Sequence, residues 1–236
     1  MSPNGTIEVI PVLGIEEVTP GANLGSLIAE AAISQGIGLV DGDVVVVTQK
    51  IVSKAEGRLV AVDGPQALEG VVRQQSRRIL RKRGELTISE THHGFICANA
   101  GVDQSDIPEG WASILPKDPD ASARRIRAEI AEVSGAAVGV IVSDTFGRPW
   151  RRGQTDVALG VAGIPAVLDL RGTRDRFGRT LHATEIAVAD EIAGAAELAM
   201  GKSRGVPAAI VRGLSLPEQD GKGSDLIRHF TEDLFR

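Results

Sequence analysis

The chain has 236 residues, with 26 lysines and arginines against 31 aspartates and glutamates, so its formal net charge at pH 7 is −5. A mildly acidic protein lacks the basic surface that nucleic-acid binding requires. Hydrophobic residues make up 42% of the chain, which is typical of a folded globular protein. No signal-peptide pattern and no run of 18 apolar residues occurs, so we expect a cytoplasmic protein with no membrane or nucleic-acid partner.

The single cysteine, Cys97, excludes an intramolecular disulfide and a cysteine-rich zinc site. It lies in the apolar run GFICANAG, which predicts a small buried hydrophobic side chain. His92 and His93 are adjacent in sequence, and adjacent residues on a strand point to opposite faces. They therefore predict a polar turn rather than a zinc pair.

Strand-like and helix-like segments alternate along the first third of the chain. We predict a strand over residues 6–12, followed by a helix that Asn23 caps and Gly36 ends. The continuous apolar run in residues 41–50 predicts a strand buried on both faces. Residues 65–83 predict a helix with one basic, solvated face.

The alternation continues to the C-terminus. LTISE and GFICANAG predict a pair of strands, and the Pro and Gly that bound residues 118–135 predict a helix there. Further predicted elements are a strand over 136–144, a helix over 184–200, a strand over 206–213 and a helix in DLIRHFTEDLFR. The pattern predicts an α/β fold, or an α+β fold with mixed sheets, and leaves the strand order open.

The segment SDTFGRPWRRGQTD, residues 143–156, carries the strongest functional signal. We expect a buried strand to end at Asp144 and Thr145, whose hard oxygens suit Mg²⁺ or Mn²⁺. We expect an irregular loop to follow and to carry Gln154, Asp156 and three arginines that suit phosphate or carboxylate groups. Those arginines are Arg148, Arg151 and Arg152. The alternative is a solvated basic loop with a capping aspartate.

A second aspartate, Asp103, follows an apolar strand and a glycine in NAGVDQSD. α/β proteins place ligand groups at such strand ends, although a turn aspartate would give the same pattern. If Asp103 lay about 4 Å from Asp144, their repulsion would be about 4 kcal/mol at a dielectric of about 20. A cation bridging nucleotide phosphates would relieve that repulsion.

Lys50 and Lys54 follow the buried strand four residues apart, so on a helix they share a face and could neutralise a triphosphate. Surface lysines are the alternative. Weaker candidates are the acidic positions Glu185, Asp190 and Glu191, and the basic loop of residues 171–180. P-loop, Rossmann and nucleophile-elbow motifs are absent from the sequence.

With these residues in view, the chain resembles the coenzyme F420-0:γ-glutamyl ligase family, including the ligase half of a two-domain mycobacterial enzyme. The stretches that carry the resemblance are DGDVVVVTQKIVSKAEGR, the AGVD turn, DPDASA, SDTFGRPWRRGQTD and TEIAVADEIA. The resemblance covers nearly the whole chain. It implies that residues 1–236 form one ligase domain of two intertwined subdomains, which a longer parent chain could follow with a flavin-binding reductase domain.

The resemblance also implies an activity. GTP would activate a carboxylate of F420-0, or of its dehydro form, as an acyl phosphate, and L-glutamate would then form the amide. Two divalent cations, Mn²⁺ or Mg²⁺, are implied with a homodimer, and a requirement for K⁺ is left open.

By position, the resemblance assigns the first metal site to Asp103 and Asp144, and a ligand of the second metal to Thr145. The nucleotide contacts fall on a turn, on two residues of the lysine segment and on Asp106. These residues are Leu13, Gly14, Ile15, Glu16, Glu17, Val18, Gln49, Lys54 and Asp106. The family often has Ser at the position of Gln49 and Asn at that of Asp106.

Two other functions remain open from the sequence. One is a nucleoside-triphosphate-dependent ligase that joins a carboxylate and an amine on a different acceptor. The other is a regulatory module that binds metal and nucleotide without catalysis. The density of arginines in residues 148–152 favours an enzyme over a module that only binds a nucleotide.

Overall fold

The structure is a computed structural model that describes residues 5–234. The strands are β1 Glu8–Pro11, β2 Val44–Thr48, β3 Leu59–Ala61, β4 Ser76–Arg83, β5 Leu86–Thr91, β6 Ile96–Ala98, β7 Trp111–Ser113, β8 Gly139–Gly147, β9 Gln154–Ala162, β10 Leu168–Asp169, β11 Glu185–Ile186 and β12 Ala208–Arg212. The α-helices are α1 Leu24–Ser34, α2 Gln49–Ala55, α3 Gly64–Gln75, α4 Pro119–Ser134 and α5 Val188–Met200. No helix within the described range is long and apolar enough to cross a membrane.

A five-stranded mixed sheet forms the centre of the molecule, in the order β1-β12-β2-β8-β9. Strands β2 and β8 pair in parallel, and the other neighbours pair antiparallel. Three smaller sheets are built from β3-β7, β4-β5-β6 and β10-β11. The prediction of an α+β fold with mixed sheets is therefore confirmed.

Helices cover both faces of the central sheet. On β2, the side chains of Val45 and Val47 pack in the core that contains α1 and α4. Val44 and Val46 point to the other face and pack in the core that contains α5. All four valines are fully buried. This two-sided burial explains why the strand is a continuous apolar run rather than an alternating one.

The helix ends predicted from sequence are confirmed for α1 and α4. The side chain of Asn23 accepts a hydrogen bond from the backbone N–H of Ser26 at 2.9 Å, and Asp118 accepts one from Ala121 at 2.9 Å. Helix α4 ends at Gly135, whose φ of 71° lies in the left-handed region. Such caps satisfy N–H groups that a helix leaves unpaired at its start.

The predicted helix over residues 65–83 is wrong in its second half. Helix α3 stops at Gln75, and Ser76–Arg83 forms strand β4, which pairs antiparallel with β5. Only Gly84 and Glu85 connect the two strands, and Gly84 has a φ of 59°. A glycine in a two-residue connection is a hairpin signal that the sequence contained. The backbone pairing with β5 outweighs the helical spacing of the apolar residues.

The predicted C-terminal helix is also wrong within the described residues. Gly223–Leu226 and Phe230–Glu232 are single 3-10 turns, and residues 235 and 236 lie outside the described residues. Gly223 fits closely against β9, because a Cβ atom there would lie 2.0 Å from the Leu159 carbonyl oxygen. This backbone contact sets the path of the segment and takes precedence over its amphipathic pattern.

Two helical glycines allow a test of how tightly the helices pack. A Cβ atom on Gly25 of α1 would lie 2.3 Å from the Cβ of Glu129 and 2.5 Å from the Ile126 carbonyl oxygen, both on α4. Replacing Gly25 with Ala should therefore lower the free energy of unfolding by about 2 kcal/mol or more. Urea unfolding followed by circular dichroism measures it.

Gly70 of α3 is the matched control, because a Cβ atom there has no heavy atom within 4 Å. Gly70→Ala should raise the free energy of unfolding by about 0.5–1 kcal/mol through helix propensity alone. Equal effects of the two substitutions would show that α1 and α4 are not in backbone contact at Gly25.

Candidate functional site

A cavity of about 350 Å³ lies at the carboxyl end of the parallel pair β2 and β8. The two strands finish together there, because Thr48 of β2 is in register with Ser143 of β8. Ligand sites in α/β sheets favour this edge. The cavity is lined by residues 15–18, the start of α2, the Asp103 turn, the β8–β9 ribbon and the segment that follows α5.

Asp144 lies half-buried in the cavity wall. The pKa of its carboxyl group is raised to about 7, mainly by burial and in smaller part by the nearby charges of Asp156 and Asp103. A hydrogen bond from the Thr145 backbone and the charge of Lys202 oppose the rise. A β-bulge between Val142 and Ser143 directly precedes it. Bulges re-aim the side chains that follow them and are common beside functional sites.

Asp103 enters the cavity from a different part of the chain. A backbone bridge to Ser113 of β7 fixes it in place. Burial alone would raise its pKa, but hydrogen bonds from Ser105 and the charge of Lys50 outweigh burial and hold the pKa below its ordinary value. The Lys50 ammonium lies 3.1 Å from an Asp103 carboxylate oxygen.

Two lysines at the cavity pair with acidic side chains. Lys50 also lies 2.8 Å from the Ser105 hydroxyl and 3.4 Å from a carboxylate oxygen of Asp106. Lys54 lies 2.6 Å from a carboxylate oxygen of Glu17 and is mostly buried. Both lysines are on α2, as the four-residue spacing predicted. The cavity therefore has the two signs of charge that a metal–phosphate complex requires.

Most residues predicted to contact the nucleotide line this cavity. They are Ile15, Glu16, Glu17, Val18, Gln49, Lys54 and Asp106. Gln49 is nearly fully buried and accepts a hydrogen bond from the Ser53 hydroxyl, so only its cavity-facing edge is available. Leu13 and Gly14 do not line the cavity, and the Leu13 N–H bonds to the Gln35 side chain at 2.9 Å.

The donor set of the cavity fits a divalent cation. Asp103, Asp144 and Thr145 offer hard oxygens, and the pKa of Asp144 is raised mainly by burial and in part by the charges of Asp156 and Asp103. Among residues 5–234, no group of three His, Cys, Asp or Glu side chains is arranged to hold a metal ion. Mg²⁺ typically binds one or two carboxylates and completes its shell with water and substrate phosphates, so two aspartates suffice.

The arginine loop lies apart from this cavity. Arg148, Arg151 and Arg152 occupy the connection between β8 and β9, are exposed, and do not line the cavity. The Arg148 guanidinium donates a hydrogen bond to the Arg152 carbonyl at 2.8 Å. The described part of the chain therefore does not bring the predicted catalytic arginines to the predicted metal residues.

The predicted boundaries of this segment are wrong. Strand β8 runs on through Gly147, so Asp144 and Thr145 lie within it rather than at its end. Gln154 and Asp156 lie on β9 and not in the loop. The apolar run VALGVA after Asp156 is a strand signal that would have located β9 and the hairpin.

Sequence reasoning missed three cavity residues, Ser143, Glu197 and Lys202, and it expected Asp156 in a loop rather than in the cavity wall. Glu197 and Lys202 come from the end of α5 and the segment after it. Their contribution depends on how α5 packs across the sheet, which residue types alone do not reveal.

The weaker candidates have structural explanations. Asp190 accepts a hydrogen bond from the Ala158 backbone at 2.8 Å, and Arg171 pairs with Asp169 and Glu185. Cys97 is buried, as predicted, and burial raises the pKa of its thiol to about 12.

His92 and His93 lie in the turn between β5 and β6, as predicted. His92 Nε2 is 3.0 Å from the Gln74 carbonyl oxygen, and His93 Nε2 is 3.0 Å from that of Pro116. These contacts give the histidines a structural role in the turn.

A family model described as F420-0:Gamma-glutamyl ligase matches residues 13–213. The chain belongs to this family. Coenzyme F420:L-glutamate ligase of Methanothermobacter thermautotrophicus is 41% identical to it over 249 residues, which cover 98% of this chain and 99% of the relative. The protein of the same name from Methanocaldococcus jannaschii is 42% identical over 231 residues, covering 91% of this chain and 90% of the relative.

The segment that matches the family contains both sides of the cavity. It begins at Leu13, before the cavity residues 15–18, and ends at Gly213, after β12. Four of the five strands of the central sheet lie within the matched segment, and β1 lies before it. The cavity is therefore built from the part of the chain that the family shares.

Asp144 should destabilise the metal-free protein at high pH. Its pKa is about 7 in the folded protein and near 3.8 when unfolded, so the folded state holds a proton that the unfolded state releases. Stability contributed by this group is complete below about pH 4 and is lost as pH rises to about 7. With EDTA at pH 8, Asp144→Asn should raise the free energy of unfolding by about 2 kcal/mol, after allowance for partial exposure.

At pH 4 most of this gain should be lost, because Asp144 is then protonated in the folded state and only about half ionised in the unfolded state. Urea unfolding at the two pH values measures both. Glu85→Gln is the control, since Glu85 is exposed in the β4–β5 turn and its replacement should change stability by less than about 0.5 kcal/mol. A variant that is destabilised at pH 8 would place Asp144 outside a crowded carboxylate site.

Proposed function

We propose that this protein is a ligase that joins L-glutamate to a carboxylate of coenzyme F420-0, or of its dehydro form, at the expense of GTP. The observation that carries the proposal is the cavity in which Asp103 and Asp144 lie beside Lys50 and Lys202. The relatives, which are coenzyme F420:L-glutamate ligases, suggest the coenzyme and the amino acid, and the family to which the chain belongs suggests F420-0 as the acceptor.

The charge pattern supports chemistry through a phosphorylated carboxylate. A carboxylate oxygen of the acceptor attacks the γ-phosphorus of GTP, the bond to the β–γ bridging oxygen breaks, and GDP leaves. The amine of glutamate, after losing a proton, attacks the acyl carbon. The amide C–N bond forms, phosphate leaves with the former carboxylate oxygen, and the nitrogen releases a second proton to solvent. Without this phosphorylation, a carboxylate and an ammonium group do not form an amide at neutral pH.

We assign the basic and the acidic residues of the cavity different roles. Lys50, Lys54 and Lys202 would bind the phosphate oxygens and stabilise negative charge on the transferring group. Asp103, Asp144 and Thr145 would hold the divalent cations, Mn²⁺ or Mg²⁺. Such cations, when bound, neutralise phosphate charge and orient the leaving group. Residues 15–18 would close the nucleotide side of the cavity.

The assignment is tested by incubating the protein with F420-0, GTP, Mn²⁺ and isotopically labelled L-glutamate. We expect the acceptor mass to rise in steps of one glutamyl unit, with one GDP released per step. Thr173→Ala, in the loop of residues 171–180 that does not line the cavity, is a control that should retain activity. GDP release without a glutamyl product would favour a ligase for another acceptor, and nucleotide binding without GDP release would favour the regulatory module.

We also propose a homodimer in which the arginine loop of one subunit serves the cavity of its partner. Arg148, Arg151 and Arg152 are exposed and lie outside their own chain's cavity wall, although an anionic acceptor and glutamate need positive charge near the reacting atoms. Trp150 at the tip of this loop is 79% exposed. An exposed aromatic side chain among arginines is typical of an interface residue.

Mixing two inactive variants tests this arrangement. Asp144→Asn removes the cavity carboxylate and Arg151→Ala removes a loop cation, so each homodimer should lose activity. After unfolding and refolding together, a heterodimer would contain one intact site, and about a quarter of wild-type activity should return. If the mixture is no more active than the two separate variants, the loop is not shared between subunits. A monomer in light scattering would also exclude this arrangement.

A further inference from the structure

Asp156 lines the cavity, and its carboxylate has no role in the reaction proposed above. It lies on β9 in register with Thr145 of β8, and only 3% of its surface is exposed. Thr145 Oγ1 lies 2.5 Å from one carboxylate oxygen of Asp156, and Ser143 Oγ lies 2.9 Å from the other. Ser143 and Thr145 are two residues apart on one strand, so both hydroxyls reach the same carboxylate.

These contacts fix the direction of the two hydroxyl groups. An ionised carboxylate can only accept hydrogen bonds, so Ser143 and Thr145 must both donate their single proton to Asp156. The lone pairs of Thr145 Oγ1 then point away from Asp156. Since Thr145 lines the cavity, its oxygen is presented there as an acceptor with no competing proton.

We propose that Asp156 is a positioning residue that holds the Thr145 hydroxyl as a ready-made oxygen ligand for a divalent cation in the cavity. The inference rests on the proposed function, because it uses the cation site assigned there. Outer carboxylates that orient metal ligands commonly strengthen binding by about 10–100-fold. Asp156 would act in this way through one hydrogen bond rather than through direct coordination.

The structure favours orientation over direct coordination. Both carboxylate oxygens of Asp156 already accept hydroxyl protons, and the residue is almost completely enclosed. Within residues 5–234, Asp103, Asp144 and Asp156 are not arranged as a three-ligand metal group. An asparagine would replace this function only in part, because its amide oxygen can accept a proton from one of the two hydroxyls while its NH2 group donates to the other.

A double-mutant cycle on Mn²⁺ binding tests the inference. The four proteins are wild type, Asp156→Asn, Thr145→Val and the double variant, each of full length with GDP present. Free Mn²⁺ is measured by electron paramagnetic resonance. Asp156→Asn should raise the Mn²⁺ dissociation constant about tenfold in the wild-type background and no more than about twofold when Thr145 is already valine. An equal effect in both backgrounds would show that Asp156 acts by its charge alone and would overturn the inference.

Two further variants keep the test decisive if Asp156→Asn fails to fold in urea-unfolding controls. Thr145→Val should by itself weaken Mn²⁺ binding about tenfold, and Thr145→Ser should restore it. Ser143→Ala should leave Mn²⁺ binding within twofold of wild type, because it removes the other hydroxyl on Asp156. Wild-type Mn²⁺ affinity in Thr145→Val would overturn the inference.

Glutamyl transfer by the wild-type protein, measured separately, distinguishes this inference from the proposed function. Active protein with an additive cycle rejects the role of Asp156 alone. A coupled cycle in a protein that transfers no glutamate supports that role and rejects the reaction.

Discussion

Crowding of negative charge at one end of a parallel strand pair is the constraint from which the rest of the site follows. Asp144 on β8 is near both Asp156 on β9 and Asp103 on a separate turn. A folded protein can tolerate such a group only by protonating it, by pairing it with cations or by binding a counter-ion. All three responses have a physical basis here, because Asp144 has a raised pKa, Lys50 contacts Asp103, and the oxygens suit a divalent ion.

The three carboxylates differ because their surroundings differ. Asp156 is satisfied by two hydroxyl donors, and Asp103 is satisfied by Ser105 and a lysine. Asp144 has the least compensation, and burial together with its neighbours raises its pKa to about 7. A group in that condition reduces the stability of the metal-free protein and increases the free energy available when a cation binds. Stability and binding are therefore opposed at this residue.

Sequence patterns were sufficient for the framework of the fold. The apolar runs of β2 and β8, the caps of α1 and α4 and the pairing of β5 with β6 could be predicted because each depends on local spacing or on two-sided burial. Asp103, Asp144 and Lys54, which line the cavity, could be selected as candidates because polar residues directly after apolar runs stand out and because their segments resemble a known family.

The features that the sequence does not predict depend on contacts between segments that are distant in the chain. The spacing in residues 76–83 predicts helix because helical and strand spacing coincide in a short basic segment, and pairing with β5 makes the segment a strand. The sequence predicts a loop at Asp156 because the hairpin register that brings it opposite Thr145 is a tertiary property. The separation of the arginine loop from the cavity likewise follows from the length of β8, which continues beyond Asp144.

The strand order has a consequence for synthesis on the ribosome. Strand β12 lies between β1 and β2, so within residues 5–234 strand β1 pairs with the central sheet through β12 alone. In the nascent chain β1 therefore has no strand partner, and β2 has one unpaired edge, until residues 208–212 have left the exit tunnel. Closure of the sheet is a late event, and incomplete chains expose an unpaired strand that nascent-chain-binding chaperones are suited to shield.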